Sequence, residues 1–128
     1  MDKKIIIDTN VVLRYLLKDH QEFYAKSEEL FKSAISGKAK LYILQSVVAE
    51  VVYVLLKLYK VDKDTIVDTL LKLLSLKGVE VQDYEQTMSA LEIFRSRNLD
   101  FVDCILCAYS KRYKVFSFDN KLNNCDIK

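Results

Sequence analysis

Four carboxylates occupy positions where side chains of their kind do chemistry: Asp8, Glu50, Asp103 and Asp119. Asp8 follows the apolar run Ile5-Ile6-Ile7, and Asp119 follows Phe116-Ser117-Phe118. An acid directly after such a run sits at the carboxyl end of a strand, and in open α/β sheets that rim is where ligands bind. Glu50 interrupts Val47-Val48-Ala49-Glu50-Val51-Val52-Tyr53-Val54-Leu55-Leu56, a helix apolar nearly all round. A helix of that kind is largely buried, and buried carboxylates are rare unless paired or metal-bound. Acids that converge repel one another by roughly 4 kcal/mol at about 4 Å and an effective dielectric near 20. A divalent cation held by hard oxygens removes that repulsion, and it can activate water, neutralise phosphate oxygens and stabilise a leaving alkoxide. Gathered together, the four acids predict a metal-dependent nuclease.

Each acid also has a plainer role to compete with. Asp8 can cap the helix after it, although Thr9 and Asn10 are available for that job. Ser46, Glu50 and Lys57 fall in one narrow angular sector and so could form a solvated stripe. Asp100 and Asp103 sit three apart at a helix start, like a capping box with Asp in place of Glu. Asp119 suits a turn. Their conjunction decides: acids end the first and last clear strands, and others lie on helices between them.

The positioning elements follow from hydrophobic spacing. The Ile5-Ile6-Ile7 run reads as a strand buried on both faces. A short helix capped by Thr9 or Asn10 reaches Leu17. A second carries Phe23, Tyr24, Ser27, Leu30, Phe31, Ala34 and Ile35 on one face and stops at Gly37. Residues 41–44 read as a strand, and Ser46 caps a helix to Tyr59. Asp62 or Asp64 opens a helix with Ile66, Val67, Leu70, Leu71 and Leu74 inward, ending at Gly78. Residues 79–81 are a third strand. Asp83 starts one helix, and Asp100 starts the next with Phe101, Val102, Ile105, Leu106, Ala108 and Tyr109 inward. Residues 115–118 read as a fourth strand, with a stub at 126–128. The expected fold is α/β: a three-layer sandwich with a central, mostly parallel sheet of four to five strands flanked by helices.

At 128 residues the chain is one domain, and 30% charged residues beside 51% hydrophobic ones exclude a disordered polymer. Twenty basic and 18 acidic residues leave a net charge of +2, so any basic surface is local. No apolar run approaches the roughly 18 to 20 residues of a membrane span, and no signal peptide is visible. Three cysteines, an odd count, argue against a disulfide framework and suit a reducing cytoplasm. Cys104 and Cys107 then read as small buried residues. His20, the sole histidine, reads as a surface residue.

The residues resemble the PIN-domain family, and within it the VapC-type toxins of toxin–antitoxin pairs. Four pieces carry the resemblance. They are Ile6-Ile7-Asp8-Thr9-Asn10, Ser46-Val47-Val48-Ala49-Glu50-Val51, Asp100-Phe101-Val102-Asp103-Cys104-Ile105-Leu106-Cys107-Ala108, and Phe116-Ser117-Phe118-Asp119-Asn120-Lys121-Leu122. It implies an endoribonuclease dependent on Mg2+ or Mn2+ that cuts tRNA, rRNA or mRNA, with a small antitoxin as partner. Asp8, Asp103 and Asp119 would hold the principal ion. Glu50 would join a second ion or hold its water, while Asn10, Ser117 and Asp100 support them. By the same resemblance, the final strand is shortened or missing.

Lys111, Arg112 and Lys114 bracket Tyr113, and Arg95 and Arg97 precede the third motif; all five are candidate RNA contacts. Cations also gather at helix C-termini for dipole reasons alone. Apolar surface around residues 51–59 and 66–74 exceeds what a small core needs and predicts a homodimer. Two rival functions remain. A PIN-like scaffold would bind RNA or protein without cutting. A haloacid-dehalogenase-like phosphatase would need an acid where Asn10 stands.

Overall fold

Three short parallel strands carry the fold in the computed structural model, which describes residues 4–122 and 125. Strands β1 (Lys4–Ile6), β2 (Lys40–Ile43) and β3 (Val79–Val81) lie in the order β1-β2-β3. The register pairs Ile5 with Leu41 and Leu41 with Val79. Helical crossovers join them, as parallel strands require. Helices α1 (Thr9–Leu17) and α2 (Gln21–Ile35) lead from β1 to β2. Helices α3 (Gln45–Tyr53) and α4 (Lys63–Leu74) lead on to β3, and α5 (Tyr84–Ser96) and α6 (Phe101–Tyr109) follow it. The parallel sheet among helices is the architecture expected from the alternation of apolar runs.

Burial corrects the first strand. Leu41 and Ile43 of central β2 are buried, but Ile5 and Ile6 of β1 are 41% and 63% exposed. Among the described residues strand β1 lies at one edge of the sheet, and Ile7 just beyond it reaches the core. Residues 115–118, expected as a fourth strand, make no backbone hydrogen bond to another described residue. Their Phe116 and Phe118 are 81% and 93% exposed. Three strands are therefore formed among the described residues, and the stub at 126–128 lies outside them.

The caps explain several element boundaries. Asp8 itself caps α1, its Oδ1 accepting the Val11 N–H at 3.1 Å, so Thr9 and Asn10 fall inside the helix. His20 does the same for α2, its Nδ1 accepting the Phe23 N–H at 3.1 Å. Asp62 caps α4 as expected. The start of α3 is not capped by Ser46; the Gln45 N–H donates instead to the side-chain carbonyl of Gln82, just past β3. That bond fixes α3 against the sheet's carboxyl edge. Beyond Tyr53 the helix widens into a π-turn at Val54–Leu58. Gly78 needs its lack of a side chain: at φ +82° its missing Cβ would run into the Ala34 backbone.

In α6 the inward face is rotated from the expected one. Phe101, Cys104, Cys107 and Ala108 are buried, whereas Val102 and Leu106 are exposed. Two small thiols fill the place assigned to branched side chains, so α6 approaches α5 closely, and Phe94 and Phe101 meet edge to face at 5.7 Å. Burial pushes the Cys104 thiol up to about 12. Cys107 is not a plain core residue: it is joined by a disulfide to Cys125. The odd count concealed one pair and one free thiol.

Candidate active site

A cleft of about 620 Å³ opens between α3 and the start of α6. Asp100, Asp103 and Asp119 line it together with Ala49 and Tyr53 of α3 and Lys121. Two structural facts bring the acids there. Asp103 lies in the first turn of α6, where the N-terminal backbone amides favour a negative charge. Asp119 lies in a tight turn, its Oδ1 accepting the Lys121 N–H at 2.9 Å.

Asp103 carries the electrostatic signature of the cleft. Burial holds its carboxyl above the usual range, and the Asp119 and Asp100 carboxylates push it further up, against a smaller pull from Lys121. A half-buried acid facing two others is in a field that rewards a cation. Asp100 occupies the N-cap position of α6 without forming a side-chain cap, so the expected capping box is not made.

The other two acids, Asp8 and Glu50, are linked through Thr9. The Thr9 hydroxyl donates to Glu50 Oε1, which ties the residue beside Asp8 to α3. Asp8 spends one oxygen on its cap, and the other has no hydrogen-bond partner among the described residues. Glu50 is exposed, so its expected burial is corrected: it shares an open stripe with Ser46, Tyr53 and Lys57. Ala49, Tyr53 and Lys57 all line the cleft, so Glu50 borders it. Neither Asp8 nor Glu50 is among the lining residues. Among the described residues no three acids, histidines or cysteines yet stand close enough together to hold a metal ion.

The supporting residues divide. The Ser117 hydroxyl accepts the Asp119 N–H at 3.0 Å and so shapes the turn that presents this acid. Asn10 sits exposed in the first turn of α1, and its side chain makes no hydrogen bond to another described residue. Thr9, read in the sequence as a helix cap, and Lys121, quoted in a motif, were not singled out as site residues, although each adjoins or nearly adjoins a motif acid.

Among the expected basic contacts, Arg95 is already engaged. Its guanidinium meets Asp68 at 2.6 Å, Glu92 at 3.0 Å and Asp64 at 3.2 Å, which raises its pKa and ties α5 to α4. The backbone carbonyl of Arg97 accepts the Lys63 ammonium at 3.0 Å. Lys111, Arg112, Tyr113 and Lys114 are exposed in the loop after α6.

Carboxylate oxygens of this kind suit a hard cation such as Mg2+ or Mn2+. The donor set fits such an ion in kind. No helix among the described residues is long and apolar enough to cross a membrane. The family model described as PIN domain matches residues 5–128. No curated protein and no solved structure gives a match.

Proposed function

The chain belongs to the PIN domain family, whose members are generally metal-dependent nucleases, and from that premise we propose that it is an endoribonuclease dependent on Mg2+ or Mn2+. One observation carries the proposal. Asp103, Asp119 and Asp100 line one cleft, where burial first and the two neighbouring carboxylates second hold the Asp103 carboxyl up.

In this proposal Asp103, Asp119 and the free oxygen of Asp8 hold the ion. Glu50, steadied by the Thr9 hydroxyl, holds a second ion or its water. Bound there, the cation would lower the pKa of a water and neutralise phosphate oxygens. The protein's own part is positional. The cap on Val11 fixes where Asp8 points, and the Ser117 hydroxyl fixes the Asp119 turn. Asp103, whose carboxyl is held above the usual range by burial and two neighbouring acids, would gain most from a cation's charge. By the family resemblance Asn10 would support Asp8, and Asp100 would add charge at the cleft wall.

Lys111, Arg112 and Lys114 would grip the RNA backbone while Tyr113 stacks on a base. Arg97 lies at the end of α5 and completes the basic group. Arg95 drops out because three carboxylates already use it. The proposed setting is the cytoplasm, as the toxin of a toxin–antitoxin pair. A small antitoxin would be the partner, and the exposed apolar side chains of Tyr53, Leu58 and Tyr59 would join two copies.

Incubation of the purified protein with labelled tRNA, rRNA and mRNA fragments tests this. Cleavage that needs Mg2+ or Mn2+, stops with chelator and is lost in Asp103→Asn supports it. A calorimetric titration with Mn2+ that shows no uptake would favour a PIN scaffold that only binds.

A further inference from the structure

The turn that carries Asp119 is held to the rest of the protein by very little. Residues 114–118 make no backbone hydrogen bond to another described residue, and both their phenylalanines face solvent. Beyond Asp119 the connections resume in a short relay. The Asp119 carbonyl accepts the Leu122 N–H at 3.1 Å, and the Leu122 carbonyl accepts the Cys125 N–H at 3.3 Å. Leu122 and Cys125 pack against the core, and Cys125 is bonded to Cys107. Cys107 lies one helical turn along α6 from Asp103. The disulfide therefore closes a loop with Asp103's helix at one end and the Asp119 turn inside it.

We infer that Cys107 and Cys125 are a thiol–disulfide couple that positions Asp119 against Asp103, so that cation uptake by the acidic cleft depends on the protein's redox state. This rests on the nuclease proposal for what the cleft binds. The Cα atoms are 5.3 Å apart, a separation at which a disulfide forms without moving the backbone. Opening it leaves the Asp119 turn attached, among the described residues, through the packing of Leu122 and Cys125. Cys104 is fully buried and stays a free thiol beside the Cys107–Cys125 bond.

The exchange needs a disulfide oxidant, and glutathione disulfide is of the right class. The thiolate of half-buried Cys125 attacks one glutathione sulfur, forming a mixed disulfide and expelling one glutathione thiolate. Cys107 then attacks the Cys125 sulfur and expels the second glutathione. Two cysteine sulfurs are oxidised, two glutathione sulfurs are reduced, and the two protons leave with the glutathione thiols. A dithiol reductant runs the steps backwards.

The full chain, equilibrated in glutathione disulfide or in dithiothreitol, tests the couple. Thiol counting by mass should find one free cysteine in the first state and three in the second. Amide exchange at Lys121 and Leu122 should be slow when oxidised and fast when reduced. Mn2+ affinity by calorimetry should fall about tenfold on reduction, the lower end of what loss of ligand support costs. Cys125→Ser should behave as the reduced protein in both buffers, which separates the tether from any general effect of oxidant. Three free thiols in glutathione disulfide, or exchange and Mn2+ affinity unchanged between the states, would overturn the inference. Cation uptake absent from both states would instead overturn the nuclease proposal, while amide exchange would still report on the tether.

Discussion

Asp8→Asn separates two jobs that one side chain performs. Its Oδ1 caps α1 through the Val11 N–H at 3.1 Å, and its other oxygen is the one proposed for the cation. Asparagine caps as well as aspartate does, whereas alanine at an N-cap costs about 1 kcal/mol. For a chain of this size that is a fall of about 4 °C in Tm. Without metal, Asp8→Asn should therefore melt at or slightly above the wild-type temperature, and Asp8→Ala about 4 °C below it. With Mn2+ at about a hundred times its Kd, the wild type should gain roughly 2.7 kcal/mol, or about 10 °C. Asp8→Asn should lose most of that gain. Its cleavage rate should fall at least about a hundredfold, since the cation's charge stabilisation is worth several kcal/mol. Melting curves with and without Mn2+, read beside cleavage of a labelled RNA, measure both jobs at once. An Asp8→Asn protein that cuts normally and gains the full Mn2+ shift would remove Asp8 from the site. One that melts as low as Asp8→Ala would show that the cap depends on charge and not on the accepted hydrogen bond.

The Asp103 carboxyl is raised in the folded state, so its ionised form destabilises the metal-free protein at neutral pH, and the penalty is absent at low pH, where the group is protonated. Asp103→Asn should accordingly raise Tm near pH 7, with the gain vanishing as the pH falls through the carboxylate range; a pH series of melting curves checks this. Wild-type Mn2+ affinity should weaken over the same descent, starting above the pH at which an ordinary aspartate protonates. Glu50→Gln keeps an acceptor for the Thr9 hydroxyl, so Tm should hold while Mn2+ affinity falls roughly tenfold in calorimetry. Arg95→Ala should lower Tm by an amount that shrinks in high salt and leave RNA affinity unchanged in a filter-binding titration.

Apolar runs and helical spacing located the helices and three strands, because those patterns are local consequences of burial, while the run at 115–118 forms no strand. They could not say which strand is an edge. Ile5 and Ile6 read as doubly covered only because the sequence does not show that β1 has a single neighbour. Glu50 was singled out for a reason that fails, since its stripe is open to solvent. Its link to Asp8 runs through Thr9, a contact between residues 41 apart that no local pattern encodes. The inward face of α6 was misjudged because Cys104 and Cys107 pack as small hydrophobes where branched side chains were expected. The Cys107–Cys125 bond was invisible for a similar reason: pairing is set by tertiary approach, and an odd count says nothing about which two thiols meet. Asp103 and Asp119 were both singled out and both line the cleft, but the reason for Asp119 fails: residues 115–118 form no strand, and a turn shaped by Ser117 presents it instead.

A crystal grown or soaked with Mn2+, read by its anomalous signal, tests the metal site most directly. A peak in the cleft with oxygens of Asp8, Asp103 and Asp119 around it, at about the 2.0–2.1 Å typical of Mg2+, is the predicted result. No peak there, or ions gathered only at the surface acids Asp64 and Asp68, would contradict it.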